Sequence, residues 1–198
     1  MEDPQIPQTK ENIWNIPNTL TFSRIIITFL TIFLIFGGYS IVYIVTAFVI
    51  GMITDCLDGQ IARRFKMTTE FGRQFDMIAD RVLMIGVALA AIIKLGDAGI
   101  FSSSQLFQVF LILTREIVAS SVVFLTIISG KGVLTPHVSF VGKATTVMQA
   151  ITFPLILLNT VYLFFSFSIY FAIATAIIGG ISAFMYVNDV KNMLTSKR

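Results

Sequence analysis

The chain has a single cysteine, Cys56, in 198 residues, which excludes an internal disulfide and any cysteine-based metal site. Charge is sparse, with only 13% of residues Asp, Glu, Lys or Arg. The net charge is +3 and no basic stripe or nucleic-acid motif appears. Nucleic acid is therefore not an expected partner, whereas a bilayer with anionic headgroups is. The first fifteen residues are polar and lack an apolar core, so a cleavable signal peptide is not expected. No internal repeat or low-complexity tract occurs, which points to one domain. Against these shortages stands an excess of oil. The chain is 56% hydrophobic with a mean hydropathy of +0.85, above the roughly 45–50% apolar content of soluble domains. This is the composition of an integral, multi-pass membrane protein.

Apolar runs of about 20 residues predict membrane-spanning helices. Six are expected, at Leu20–Phe36, Ile41–Ile61, Gly72–Leu95, Ser104–Ile128, Val138–Leu158 and Val161–Val187. Residues 1–15 are read as a short interfacial helix with Trp14 at headgroup depth, and 16–198 as the transmembrane domain. Asn18 or Thr19 is a candidate N-cap for the first span. With the N-terminus inside, the inner segments hold Lys10, Arg63, Arg64, Lys66, Arg73, Lys131, Lys191, Lys197 and Arg198, while the outer loops hold only Lys94. That bias sets the orientation.

Into this oil the sequence places Asp55, Asp58, Asp76 and Asp80. Asp55 and Asp58 are three apart, Asp76 and Asp80 four apart, so each pair shares a helix face. Asp55 lies fourteen residues from Ile41, and Asp80 fourteen from Lys94. Both distances are about 21 Å along a helix, so the two pairs reach one level near the inner face. Intramembrane carboxylates are costly and usually functional. Four of them repel unless a cation sits between them, and hard oxygen ligands suit Mg²⁺, Mn²⁺ or Ca²⁺. Gly59, Ala62 and Gly72 permit close backbone approach, and Arg63 offers a fork-shaped phosphate donor. Metal-dependent diphosphate chemistry at the inner leaflet is the reading that these residues support.

The full pattern is D-x2-D-G-x2-A-R-x8-G-x3-D-x3-D, filled by Asp55, Asp58, Gly59, Ala62, Arg63, Gly72, Asp76 and Asp80. It resembles the defining motif of the CDP-alcohol phosphotransferase family. The stretch Asn15-Ile16-Pro17-Asn18-Thr19-Leu20-Thr21, followed by Arg24, is similar to the start of the first span in members that make phosphatidylglycerophosphate or cardiolipin. The resemblance implies an all-α fold of six transmembrane helices around a polar cavity open to the cytoplasm, in a cell membrane, often as a homodimer. It implies that Asp55, Asp58 and Asp76 ligate two divalent cations, Mg²⁺ or Mn²⁺. Asp80 would complete the second site and act as general base. Asp58, Gly59, Ala62, Arg63 and Gly72 would bind the CDP moiety. The implied reaction is attack of an alcohol on the lipid-side phosphate of CDP-diacylglycerol, with release of CMP.

The acceptor follows less directly. A phosphorylated acceptor needs further cations, and Arg24, Arg81, Arg115 and Lys143 are candidates. Phosphatidylglycerophosphate synthases resemble the Thr114–Val118 segment but often carry a second Arg where this chain has Val123. The stretch from Thr135 to Thr146 is similar to cardiolipin synthases, and Asp76-Met77 departs from the common Asp-Pro. The reading leans to phosphatidylglycerol as acceptor, held by Arg115, Lys143 and Arg81, with glycerol 3-phosphate as the alternative. Plainer roles compete. Arg115 and Glu116 can neutralise each other, Lys143 can snorkel, His137 can be an interfacial polar residue, and Gly179-Gly180 can mark close helix packing. An ion-coupled transporter would carry repeats or broken helices, and a prenyltransferase would carry two separated Asp-rich motifs; neither pattern is present.

Overall fold

In the computed structural model, backbone is described for residues 16–64, 70–128 and 140–196, without the side chains of 17, 56, 58–59, 61–64, 70–71, 73, 123–128, 163, 165 and 194–196. The expected interfacial helix with Trp14, and His137, lie outside the described residues. The described residues are all-helical. They form α1 (Ile16–Phe36), α2 (Ile41–Arg64), α3 (Glu70–Arg81), α4 (Val87–Asp97), α5 (Ser103–Ile128), α6 (Phe140–Leu158) and α7 (Ser168–Ser196). A π-helical turn, Val82–Gly86, joins α3 to α4, and a 3₁₀ turn, Leu163–Phe167, precedes α7.

The expected spans correspond to these helices, with three departures. α1 begins at Ile16, so Asn18 is not a cap but sits buried inside the first turn, where Pro17 is well tolerated. The third span is interrupted by the π turn immediately after Asp80 and Arg81. The last helix starts at Ser168 rather than Val161 and runs to Ser196, because hydropathy marks depth in the membrane and not where a helix stops. Four helices are long and apolar enough to cross a membrane, over Asn18–Phe36, Ser103–Val122, Phe140–Leu158 and Ser168–Met193, while the apolar part of α2 is the shorter Ile41–Asp55.

The helices pack with their polarity inverted relative to a soluble bundle. The outward faces carry Phe22, Phe29, Phe33, Phe110 and Phe184. The inward face of α1 is Asn18, Thr21, Arg24, Thr28, Thr31 and Ile35, a stripe at helical spacing that is polar until its last member. α7 likewise buries Ser168, Ala172, Thr175, Gly179 and Ser182. In lipid no hydrophobic force drives helices together, so small residues and hydrogen bonds take over. The Ser168 hydroxyl donates to Gln108 at 2.8 Å, Gln149 donates to the Ile112 carbonyl at 2.8 Å, and Thr152 meets Thr175 at 2.8 Å. Each such bond contributes about 0.6 kcal/mol on average.

Two groups of helices result. α1, α2 and the α3–α4 rod pack together, as do α5, α6 and α7, and α2 meets α6 across the middle. Phe48 and Phe153 form that contact, with ring centroids 4.9 Å apart. Their neighbours Ile44, Val87, Ala91, Val109, Ile112 and Ile156 complete an apolar core. Where the core ends, polar residues begin. Gly51 of α2 faces Ile27 of α1 and Leu83 of the π turn, each 3.4 Å from where a β-carbon would stand. One turn beyond this close approach lie Arg24, Asp55 and Asp80.

Gly179 is the corresponding close approach in the second group. A β-carbon there would lie 3.3 Å from Thr145 Cγ2 and 3.4 Å from Arg115 Cβ, whereas at Gly180 nothing lies within 4 Å. Gly179→Val is therefore expected to destabilise by about 1–3 kcal/mol through overpacking, and Gly180→Val to be close to neutral. Thermal unfolding in detergent measures both, and equal losses at the two positions would contradict this packing.

Candidate functional site

The carboxylates of Asp55, Asp76 and Asp80 converge, with one oxygen from each lying within 4.8 Å of the others. Asp55 comes from α2 and Asp76 and Asp80 from α3. At the centre of the group is a cation from a third helix, the guanidinium of Arg24. Arg24 Nη2 lies 3.1 Å from Asp55 Oδ1, and Nη1 lies 2.9 Å from Asp76 Oδ1 and also contacts Asp80 Oδ1. The Arg24 side chain is 0% exposed, while those of Asp55, Asp76 and Asp80 are 20%, 40% and 41% exposed. The arginine is thus enclosed, while the carboxylates keep part of their surface open.

The donor set fits a divalent cation. Three carboxylates are hard oxygen ligands, and oxygens on opposite sides of an octahedral Mg²⁺ would be about 4.2 Å apart. Their present spread of up to 4.8 Å closes to that with small side-chain rotations. The position of Arg24 itself marks where positive charge is stabilised.

A second polar group adjoins the first along α3. Arg115 on α5 pairs with Glu116 through Nη1 and Oε1 at 2.6 Å, and its Nε donates to the Ser182 hydroxyl on α7 at 3.3 Å. Glu116 is buried. Arg81 lies beside the Tyr186 hydroxyl on α7, with Arg115 nearby. That hydroxyl is buried and closes no hydrogen bond of good geometry. Arg81 follows Asp80 directly in α3, so one helix end contributes to both groups.

Residues 14–181 match the CDP-alcohol phosphatidyltransferase family. The chain belongs to that family. A Rickettsia typhi protein named CDP-diacylglycerol--glycerol-3-phosphate 3-phosphatidyltransferase is 32% identical over 149 residues, which are 74% of this chain and 78% of that protein. A Mycobacterium tuberculosis protein named "Probable phosphatidylglycerophosphate synthase" is 36% identical over 154 residues, 75% of this chain and 68% of its own length. A Streptomyces coelicolor protein named "Cardiolipin synthase (CMP-forming)" is 31% identical over 154 residues, 75% of this chain and 67% of its own. The chain is thus an enzyme of phosphatidyl transfer, as its motif implied.

Within this CDP-alcohol phosphatidyltransferase the sequence-derived candidates fare unevenly. Asp55, Asp76 and Asp80 are brought together. Asp58, Gly59, Ala62 and Arg63 lie on α2, with side chains outside the described residues. Gly72 is half-buried on α3. Arg81 and Arg115 meet around Tyr186, while Lys143 is exposed on α6. Val123 lies on α5 with its side chain outside the described residues. Arg24, grouped from sequence with the acceptor cations, belongs instead to the carboxylates. Sequence reasoning missed Tyr186 and Ser182. The 3.6-residue stripe from Ser168 to Tyr186, small and polar along an otherwise oily helix, was the available signal.

Charge pairing in the second group generates a specific expectation. Arg115→Leu strands the buried Glu116 carboxylate and is expected to cost about 1.5–3 kcal/mol. Combining it with Glu116→Leu should restore most of that loss, because no unpaired charge remains. A double-mutant cycle by thermal unfolding in detergent measures the coupling, and strictly additive losses would show that the pair is not coupled.

Proposed function

We propose that this enzyme transfers a phosphatidyl group from CDP-diacylglycerol to a glycerol-type alcohol, with release of CMP, at a site holding two divalent cations, Mg²⁺ or Mn²⁺. The observation that carries the proposal is the convergence of Asp55, Asp76 and Asp80 from two helices onto one buried cation position. Asp55, Asp58 and Asp76 are the proposed ligands, with Asp80 completing the second site. Cations held by these carboxylates would supply neutralisation of the diphosphate and of the charge that develops on the departing CMP. Asp58, Gly59, Ala62, Arg63 and Gly72 hold the CDP moiety. Asp80 accepts the proton of the attacking hydroxyl. Its neighbour Arg81, together with Arg115 and Lys143, holds the acceptor's phosphate, and the buried Tyr186 hydroxyl beside Arg81 is suited to the same anion.

Two acceptors are consistent with this arrangement. Phosphatidylglycerol, giving cardiolipin, is favoured by the Arg115–Glu116 pair, which removes positive charge from the acceptor side and suits a singly charged diester. Glycerol 3-phosphate is favoured by the names of the Rickettsia and Mycobacterium relatives. In the proposed topology six spans cross the cell membrane, the N-terminus and the polar cavity face the cytoplasm, and the 16–198 domain assembles as a homodimer. The excess of Lys and Arg in the inner segments supports that orientation.

Purified protein given CDP-diacylglycerol, Mg²⁺ or Mn²⁺ and both acceptors should release CMP, and lipid mass should identify cardiolipin or phosphatidylglycerophosphate. Asp80→Asn is expected to retain CDP-diacylglycerol binding and to lose about 10²–10⁴-fold in turnover, the range for a missing general base. Undiminished turnover in excess chelator would overturn the metal reading. A parallel loss of binding and turnover in Asp80→Asn would reduce Asp80 to a ligand.

A further inference from the structure

Arg24 is fully buried and makes ion pairs with three carboxylates from two other helices. A guanidinium presents several donors in a rigid fork, so it can serve three acceptors where an ammonium would serve fewer. Without it, three carboxylates would stand within 4.8 Å of one another in a largely apolar bundle, a costly arrangement. With it, the metal-free protein keeps its ligands assembled. Yet the guanidinium and a divalent cation seek the same oxygen atoms and repel each other.

We propose that Arg24 is an internal counter-ion: it holds Asp55, Asp76 and Asp80 in place before metal binds, and it must give up those contacts when metal enters, so that it sets the affinity of the site for divalent cations. The inference rests on the metal reading above but concerns a different residue and a different measurement. The geometry supplies a way in and a way out. The carboxylates are partly exposed while the arginine is buried, so an ion meets the carboxylates first. Side chains on a helix lean toward its N-terminus, and in that direction the same face of α1 carries Asn18 and Thr21, polar groups toward which a guanidinium can turn. Arg24 is in this account a positioning residue and takes no part in bond making.

The test is thermal unfolding of the full-length protein in detergent, titrated with Mn²⁺ in the absence of substrate. Binding to the folded state stabilises it in proportion to the logarithm of ligand over dissociation constant. In chelator, Arg24→Gln should unfold at a lower temperature than the wild type. Its Mn²⁺ midpoint should nevertheless fall about tenfold, to tighter binding, because a competing cation has gone. Arg24→Lys keeps the charge but loses the fork, and should fold and shift the midpoint in the same direction by a smaller factor. It decides the matter if the Gln variant does not fold. A midpoint unchanged or raised in the variant that folds overturns the proposal, since a purely structural or metal-supporting arginine predicts that result. If wild-type protein shows no Mn²⁺ stabilisation, the metal reading itself fails first.

Discussion

The buried ion cluster of Arg24 with Asp55, Asp76 and Asp80 is the interaction on which the rest of this structure depends. Removing the buried Arg24 would leave three partly exposed carboxylates uncompensated, a cost that solvent screening reduces but does not abolish. A membrane protein tolerates such a network only where many helices fix it. Here α1 supplies the cation, α2 one carboxylate and α3 two. One turn away Gly51 of α2 packs near Ile27 of α1 and Leu83 of the π turn. The Phe48–Phe153 contact then ties this trio to α5, α6 and α7. Function and packing are thus one problem: the charges need the core to hold them, and the core stops where the charges begin.

The division of the bundle follows from solvent. Facing lipid, the helices place Phe, Ile and Leu outward, since apolar side chains lose nothing there. Facing each other, they place Thr, Ser, Gln and Gly, whose small size and hydrogen bonds hold helices together without a hydrophobic force. On α1 this inward face is polar from Asn18 to Thr31 and ends in Ile35. The proposed site for a charged, metal-bound diphosphate extends that polar interior. The π turn at Val82–Gly86 belongs to the same logic. It follows directly on Asp80 and Arg81 and adjusts the helix between its polar and apolar halves.

Much of this was legible in the sequence, and for identifiable reasons. The helices were legible because apolar runs of fixed length have few alternatives in a bilayer. The convergence of Asp55 with Asp76 and Asp80 was legible because Asp55 and Asp80 are equally far along their helices from Ile41 and Lys94. What was not legible depended on partners distant in sequence. That a cation was needed among the carboxylates could be argued from repulsion alone. That Arg24 would supply it required knowing which face of α1 meets α2 and α3. Arg115 could be read as a substrate contact or as a neutralised pair, and the structure gives it Glu116 as a partner without removing it from the polar surface. Tyr186 attracted no notice because a single hydroxyl on a long apolar helix has no signature until the bundle is assembled.

The membership of this chain in the CDP-alcohol phosphatidyltransferase family gives its four aspartates a chemical context. Its own geometry says where a metal would have to sit, namely where Arg24 now holds the carboxylates. The most direct measurement of that claim is anomalous diffraction from crystals of the protein grown with Mn²⁺. The account predicts an anomalous peak bounded by Asp55, Asp76 and Asp80, at about 2.0–2.4 Å from their oxygens, the range for hard divalent cations. A fully occupied Mn²⁺ elsewhere, with Arg24 still bridging the three carboxylates and no peak among them, would contradict it.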